Sequence, residues 1–551
     1  MGVFKDMIEE VFKVFLSRNS QPYLVFIAGI LYVVYYYLLQ PFYFSALRKV
    51  PGPYFYRVSY LPSLNAQRVG CWIDTVHKLH QKYGDVVVLS PNEISMNGKS
   101  EYIKDIYVRN FKKGSFYAQF SNFGKPNPFC ESSNEKHMQY KKVLTGMYQK
   151  SFIISPNNYP LRILQKKVQG LIKNIYQGSL SRGDGPRGLD IYLISSCLTF
   201  DVILNFELGE NQGTNLTDDV TQRELIRLLH IRGSMLFWTT QAPQFWNLVA
   251  SREIKNAAQE VDQWLLNLYA NSESSNRDPE GSVLNIIKSK GYQGNQAYSF
   301  LTDNILAGHH TSAVQLTYMC YELSRPVNKH WQDQLRDTLR MTFGLPDSNN
   351  EMITDVEKLD QVPLLDALLK ENLRLHASLP GAFPRVVDRT YKVDIESGGD
   401  AEPITVPEGT VVSCLPYAMH RRPDIFPSPD SFLPSRWLPS KTNGESTEQS
   451  KEKILTQLRF IMSFGKGIRL CLGMNLATIE LKLAIANIYW HFVSEISPEW
   501  CKSKSDALDT PGIGEQYKSS YETVEQKMLM ADTYNSYPIC NECWLVFKRP
   551  E

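Results

Sequence analysis

Between Arg18 and Arg48 the chain carries no charged residue, and Tyr23–Leu39 is apolar or tyrosine at every position. A run of ~20 such residues predicts one helix that crosses the ~30 Å hydrocarbon layer. Tyr35, Tyr36, Tyr37 and Tyr43 fall near one end of it, where a ring with a polar tip fits the headgroup boundary. The preceding stretch carries Asp6, Glu9 and Glu10 and no small-x-small cleavage site follows, which favours a retained anchor over a removed signal peptide. Gly2 is not read as an acylation site, because position 6 is Asp rather than Ser or Thr. Val50-Pro51-Gly52-Pro53 ends the apolar segment, since each proline removes a donor and pushes its predecessor out of helix. The expected organisation is an N-terminal segment 1–22, a transmembrane anchor 23–44 and a remainder 45–551 whose packed part begins near residue 52.

Beyond that point the pattern is mixed to about residue 110, with the strand-like Asp85–Leu89. Long helical periodicities then dominate from about 137 to 380, interrupted by polar loops such as Asn271–Gly281. Lys441–Lys453 is too polar to pack and is expected as an exposed insertion. The fold class is mainly α with small β-sheets.

Apolar content of 43% with 21% charge describes a chain able to bury a large core. The net charge of +2 provides no overall field for nucleic acid. Nine cysteines without a regular spacing do not make a disulfide framework and suit a reducing compartment. The close pair Cys540 and Cys543 lacks a second pair for zinc and reads as structural thiols.

The candidate chemistry is concentrated in Phe464-Gly465-Lys466-Gly467-Ile468-Arg469-Leu470-Cys471-Leu472-Gly473, which opens a helical run from Met474 to about Phe492. Glycines allow tight turns and close approach to a flat ligand, and a cysteine at a helix start is favoured as thiolate. Arg469 can pair with a carboxylate of that ligand. This segment closely resembles the cytochrome P-450 pattern Phe-x-x-Gly-x-Arg-x-Cys-x-Gly at every specified position. The resemblance implies the fold of that superfamily behind one N-terminal transmembrane helix. It also implies haem b with Cys471 as axial ligand and Phe464, Gly465 and Arg469 against the cofactor.

Further segments follow in the order of that family, from Pro51 to Phe547. Glu371-Asn372-Leu373-Arg374 puts an acid and a base on one helix face. With Arg436, in Pro429–Trp437, these residues resemble the family's structural triad Glu371, Arg374 and Arg436. Ala307-Gly308-His309-His310-Thr311-Ser312 resembles its oxygen-binding helix, in which Thr311 relays protons. His310 stands where the family has an acid; it is read either as a replacement proton shuttle or as a packed histidine. His137 and Lys141 occupy the places of a Trp-x-x-x-Arg propionate pair, and Arg385 is a further propionate candidate; for His137 and Lys141 a solvated helix face is the alternative. Met530–Pro538 and Cys543–Phe547 resemble a closing hairpin whose tip lines the substrate cavity. Phe116, Tyr117, Phe120, Phe123 and Leu379–Phe383 are expected around an apolar pocket.

The implied activity is NADPH-driven oxygen insertion into a hydrophobic small molecule, a lipid or secondary metabolite. No flavin or phosphate motif is visible, and the resemblance implies that electrons come from NADPH-cytochrome P-450 reductase, with cytochrome b5 as a second donor. Lys141, Lys142 and Lys466 are candidates for the docking patch. The alternatives are a haem-thiolate isomerase or peroxide-using enzyme, and a non-catalytic haem or lipid-binding membrane protein. The expected location is the endoplasmic reticulum membrane, with 1–22 lumenal and the catalytic domain cytosolic.

Overall fold

The structure, a computed structural model, describes residues 21–178, 188–210, 212–274, 281–348, 350–397, 400–439, 446–501, 507–515 and 520–550. Of the expected N-terminal segment 1–22, residues 1–20 lie outside these. Helix α1 (Gln21–Val34) continues as a wider π-turn through Tyr35–Phe44, with Pro41 inside it. A proline cannot donate to the ladder, and the wider winding accommodates the lost bond. Most large side chains on Val25–Phe44 are exposed, such as Val25 at 73% and Leu31 at 63%, and Phe42 near its end stacks on Tyr54 at 5.5 Å. This helix is long and apolar enough to cross a membrane.

The remainder is mostly helical. The principal helices after α1 are α2 (Trp72–Tyr83), α3 (Asn134–Leu144), α4 (Tyr159–Gly178), α5 (Ile191–Leu208), α6 (Glu224–Gly233), α7 (Arg252–Ser274) and α8 (Asn295–Ser324). They continue with α9 (Lys329–Phe343), α10 (Pro363–Leu375), α11 (Thr447–Phe460) and α12 (Met474–His491). Helix α5 is as apolar as α1, but nearly all of it is buried, because it is the central rod of the main core. It lies against α8, and a Cβ on Gly308 would come within 2.9 Å of the Ile203 side chain. The glycine is what lets the two backbones approach so closely.

A five-stranded sheet has the order β1-β2-β6-β5-β3, from β1 (Val86–Ser90), β2 (Glu93–Met96), β3 (Lys112–Lys113), β5 (Arg385–Val386) and β6 (Val411–Ser413). The strand expected at Asp85–Leu89 is therefore present, shifted by one residue. A three-stranded sheet joins β4 (Leu189–Asp190), β8 (Trp544–Lys548) and β7 (Val493–Ile496), so the C-terminal strand is tied to the start of α5.

Two polar stretches differ from expectation. Asn271–Ser274 complete α7, and from Ser446 the supposed insertion is helix α11, started by a capping box between Ser446 and Gln449. Local capping outweighs composition there, and most of the helix surface faces solvent. Residues 275–280 and 441–445 lie outside the described set.

Candidate active site: a cysteine loop on an enclosed cavity

The loop before α12 is shaped by two glycines. Gly465 (φ +71°) and Gly467 (φ +67°) lie in the left-handed region, and a Cβ on Gly467 would stand 2.2 Å from the Tyr107 carbonyl oxygen. Gly473 has an ordinary φ of −79°, so its backbone makes no such demand. The Cys471 N–H donates to the Phe464 carbonyl at 2.8 Å and closes the loop. Cys471 presents its side chain to an internal cavity, also lined by Phe464, Gly465, Arg469, Ala307, Gly308 and Thr311. Cys471 is exposed, and it lines this cavity. Enclosure pushes the thiol pKa up, opposed by the Gly473 and Met474 amides at the helix start and by Lys141. A bound metal cation would reverse that balance towards thiolate.

The loop is braced from behind by Glu371, which is fully buried on α10. Its carboxylate accepts from Arg374 Nε (2.9 Å) and Nη2 (2.7 Å), Arg436 Nε (3.0 Å), Trp437 Nε1 (2.8 Å) and the Leu433 N–H (2.9 Å). Burial alone would raise its pKa, but Arg374 and Arg436 hold it below the ordinary value. The link onward runs through His420, whose Nδ1 bonds the Arg374 carbonyl (3.0 Å) and whose Nε2 accepts the Met462 N–H (2.9 Å). Ser463 Oγ also donates to the Leu373 carbonyl at 2.7 Å. The triad residues expected from sequence are thus together, and His420 and Trp437 join them. Trp437 had no sequence signal beyond its place next to Arg436, and His420 had none.

Three cations gather at another edge of the cavity. Arg385 lies over the Tyr107 ring at 5.5 Å, Arg469 donates Nη1 to the Glu131 carbonyl (2.7 Å), and buried Lys113 bonds the Phe129 carbonyl between two aromatic rings. Arg385 Nε and Nη1 and Arg469 Nε are buried without a hydrogen-bond partner among the described residues. Burial and the neighbouring Arg385 and Arg469 drive the Lys113 pKa well down, and burial beside Arg385 brings Arg469 to about 10. Such a cluster, with orphaned donors and no compensating carboxylate bonded to it, fits an anionic ligand edge. Lys113 was missed from sequence because a lone lysine after an irregular segment carries no signal; only pairing of β3 with β5 brings it beside Arg385.

His137 and Lys141 reach the same loop from α3. His137 contacts the Pro128 carbonyl through Nδ1 (2.9 Å) and the Ile468 carbonyl through Nε2 (3.3 Å), and burial lowers its pKa to about 4. Lys141 Nζ donates to the Ile468 (3.0 Å) and Leu470 (2.8 Å) carbonyls. Lys466 turns back onto the Leu458 carbonyl at 3.1 Å, whereas Lys142 is exposed.

On α8, Ala307, Gly308 and Thr311 face the cavity, and Thr311 Oγ1 donates to the Ala307 carbonyl at 2.7 Å. His310 is absent from the lining. Its ring packs edge-on to Tyr537 at 6.0 Å, Nδ1 has no hydrogen-bond partner among the described residues, and burial lowers its pKa to about 3. His309 points the other way, with Nδ1 3.3 Å from Thr199 Oγ1. The expected hairpin differs: Trp544–Lys548 pairs with Leu189–Asp190 and Val493–Ile496 instead of Met530–Pro538, which folds on itself through the Met530–Pro538 bridge, and Tyr534 at its tip lines the cavity with Tyr117, Leu379 and Phe383. Phe116 and Phe120 pack on Tyr534, and Phe123 joins the main core.

A family model described as cytochrome P450 matches residues 59–517. This chain belongs to the cytochrome P450 family. Similar fungal proteins include the cytochrome P450 monooxygenase FGM1 of Gibberella zeae, 28% identical, with 80% of this chain and 86% of that protein covered. The averantin hydroxylase of Dothistroma septosporum is 27% identical (86% and 85% covered), and the fusicoccadiene 8-ol C-16-hydroxylase of Phomopsis amygdali 25% (91% and 94%). The chain is therefore a P450 monooxygenase, an oxidoreductase that incorporates oxygen, and its family carries haem on a cysteine thiolate.

Proposed function

We propose that Cys471 is the axial thiolate of a haem b and that this P450 hydroxylates a hydrophobic small molecule of the lipid or secondary-metabolite type. The reaction consumes the substrate, dioxygen, two electrons and two protons, and yields the alcohol and water. Electrons come from NADPH through a separate P450 reductase, with cytochrome b5 as the other donor. The haem, when bound, supplies oxygen activation through an electron-rich thiolate.

The chain's own residues do the rest. Arg385, Arg469 and Lys113 neutralise the haem carboxylates, and Lys141 has one ammonium proton left for the same purpose after serving two carbonyls. His137 holds the loop and offers a carboxylate one donor only by releasing a carbonyl. Phe464 and Gly465 shape the cysteine loop, while Glu371, Arg374 and Arg436 hold it in register. Thr311 Oγ1 carries a proton at the cavity wall, whereas His310, neutral and outside the lining, packs beside Tyr537. Residues 23–44 anchor the chain in the endoplasmic reticulum membrane, with 1–22 lumenal and the catalytic domain 45–551 cytosolic.

The observation that carries this reading is a cysteine on the wall of a cavity also lined by Lys113, Arg385 and Arg469, the two arginines having buried donors without a partner among the described residues. The reduced carbon monoxide complex should show the long-wavelength thiolate band, and Cys471→Ala should lose it. Persistence of the band in the variant would overturn the ligand assignment. Turnover that requires NADPH and reductase separates this activity from a haem-thiolate isomerase or peroxide user.

A further inference from the structure

The cavity contains one polar group that neither the cysteine loop nor the cation cluster uses. Asp303 lies on α8 two turns before Thr311, and Asp303, Ala307 and Thr311 line the cavity at four-residue spacing. The Asp303 Oδ2 accepts the Phe129 N–H at 3.3 Å, its one hydrogen bond among the described residues. The side chain keeps accessible surface, and that surface belongs to the cavity. Lys113 attracts it from a distance but gives its own ammonium to the Phe129 carbonyl. Burial lifts the carboxyl to about 7, the mark of an acid without a close cation. Phe129, Tyr117, Tyr534 and Ile203 line the same cavity, and among the described residues no cation forms an ion pair with Asp303, Lys113 acting on it only from a distance.

We infer that Asp303 is a specificity-determining residue that anchors a cationic nitrogen on an otherwise apolar substrate. The inference rests on the haem-monooxygenase reading above. An unpaired carboxylate in an apolar wall is costly, and a substrate ammonium removes that cost while leaving its hydrocarbon body to the aromatic walls. Eight helical residues rise about 12 Å, so a cation at Asp303 places the far end of an elongated molecule beside Thr311. The attacked carbon then lies on the order of 10 Å from the nitrogen.

The test uses the full-length haem-loaded protein and two shape-matched probes: a phenylalkyl chain ending in trimethylammonium, and its tert-butyl isostere. Neither probe can ligate iron, so binding is read from the spin-state change of the ferric haem. Asp303→Asn should weaken the cationic probe roughly tenfold or more and leave the neutral one unchanged, and Asp303→Glu should keep the preference. Equal effects on both probes, or no effect on the cation, would overturn the inference. A parent protein with no thiolate band would fail the underlying reading instead, so the two failures are distinct.

Discussion

Thr311 and His310 are neighbours in sequence with opposite surroundings. The threonine faces the cavity, while the histidine is enclosed beside Tyr537 and kept neutral. Thr311→Ala should therefore leave haem content intact and lower the product formed per NADPH consumed by roughly tenfold or more, with the balance appearing as peroxide. His310→Ala in the same assay should lower coupling less, because the histidine has no contact with the cavity. An unchanged ratio for Thr311→Ala counts against its role. At Gly467 the demand is steric: Ala would need a strained φ and would meet the Tyr107 carbonyl. Gly467→Ala should be recovered largely without haem, measured as the ratio of Soret to protein absorbance.

At the scale of elements, the brace behind the loop is a convergence of five donors on one buried carboxylate. Glu371→Gln leaves two guanidinium groups uncompensated and should cost about 3–5 kcal/mol, seen in denaturant unfolding of any folded protein recovered. The helices, the cysteine loop and the acid-base pair of α10 were legible in the sequence because each rests on local spacing. Tertiary closures were not. Asp532 in the C-terminal hairpin accepts the Ile73 (3.0 Å) and Asp74 (3.1 Å) N–H groups and so caps α2 from the other end of the chain. Nothing local to Trp72 announces that cap. Helix α11 was hidden for the opposite reason, since its composition is that of a loop and only the Ser446–Gln449 box reveals it. His310 was misleading because spacing gives the face of a helix and not what packs against it.

Across the whole molecule, buried histidines and buried carboxyls oppose each other in pH dependence. His80 and His230 are lowered to about 4 and His420 to about 3, all by burial. They take up protons on unfolding below about 6.5, so their contribution is lost as pH falls from there. Burial raises Asp190 to about 6, Asp532 to about 7 and Glu207 to about 8. These release protons on unfolding above about 4.5, so their contribution is lost as pH rises through the folded values. The melting temperature should be flat between about pH 4.5 and 6 and fall on both sides, and Glu207→Gln should soften the decline towards pH 8. A monotonic rise from pH 4 to 8 would contradict this balance. Orientation is best tested by protease in sealed microsomes, which should digest the catalytic domain without detergent. The sequon Asn215-Leu216-Thr217 is a weaker probe, because Thr217 is fully buried with its hydroxyl on Asp201 and Asn215 Oδ1 accepts from Lys167 at 2.8 Å.

The cluster of Lys113, Arg385 and Arg469 also bears on when this protein can finish folding. Buried Lys113 and Arg385 and half-buried Arg469 repel one another, with Asp303 and Glu131 attracting them only from a distance, so haem carboxylates would remove a defect of the apoprotein. A ligand that binds the folded chain alone stabilises it in proportion to the logarithm of its concentration. Cellular haem supply then acts as a quality-control signal. In haem-limited cells the chain should be degraded faster at an unchanged rate of synthesis, and pulse-chase should show the difference. Replacing Lys113 with Met would relieve part of the repulsion and lengthen the lifetime of the haem-free form.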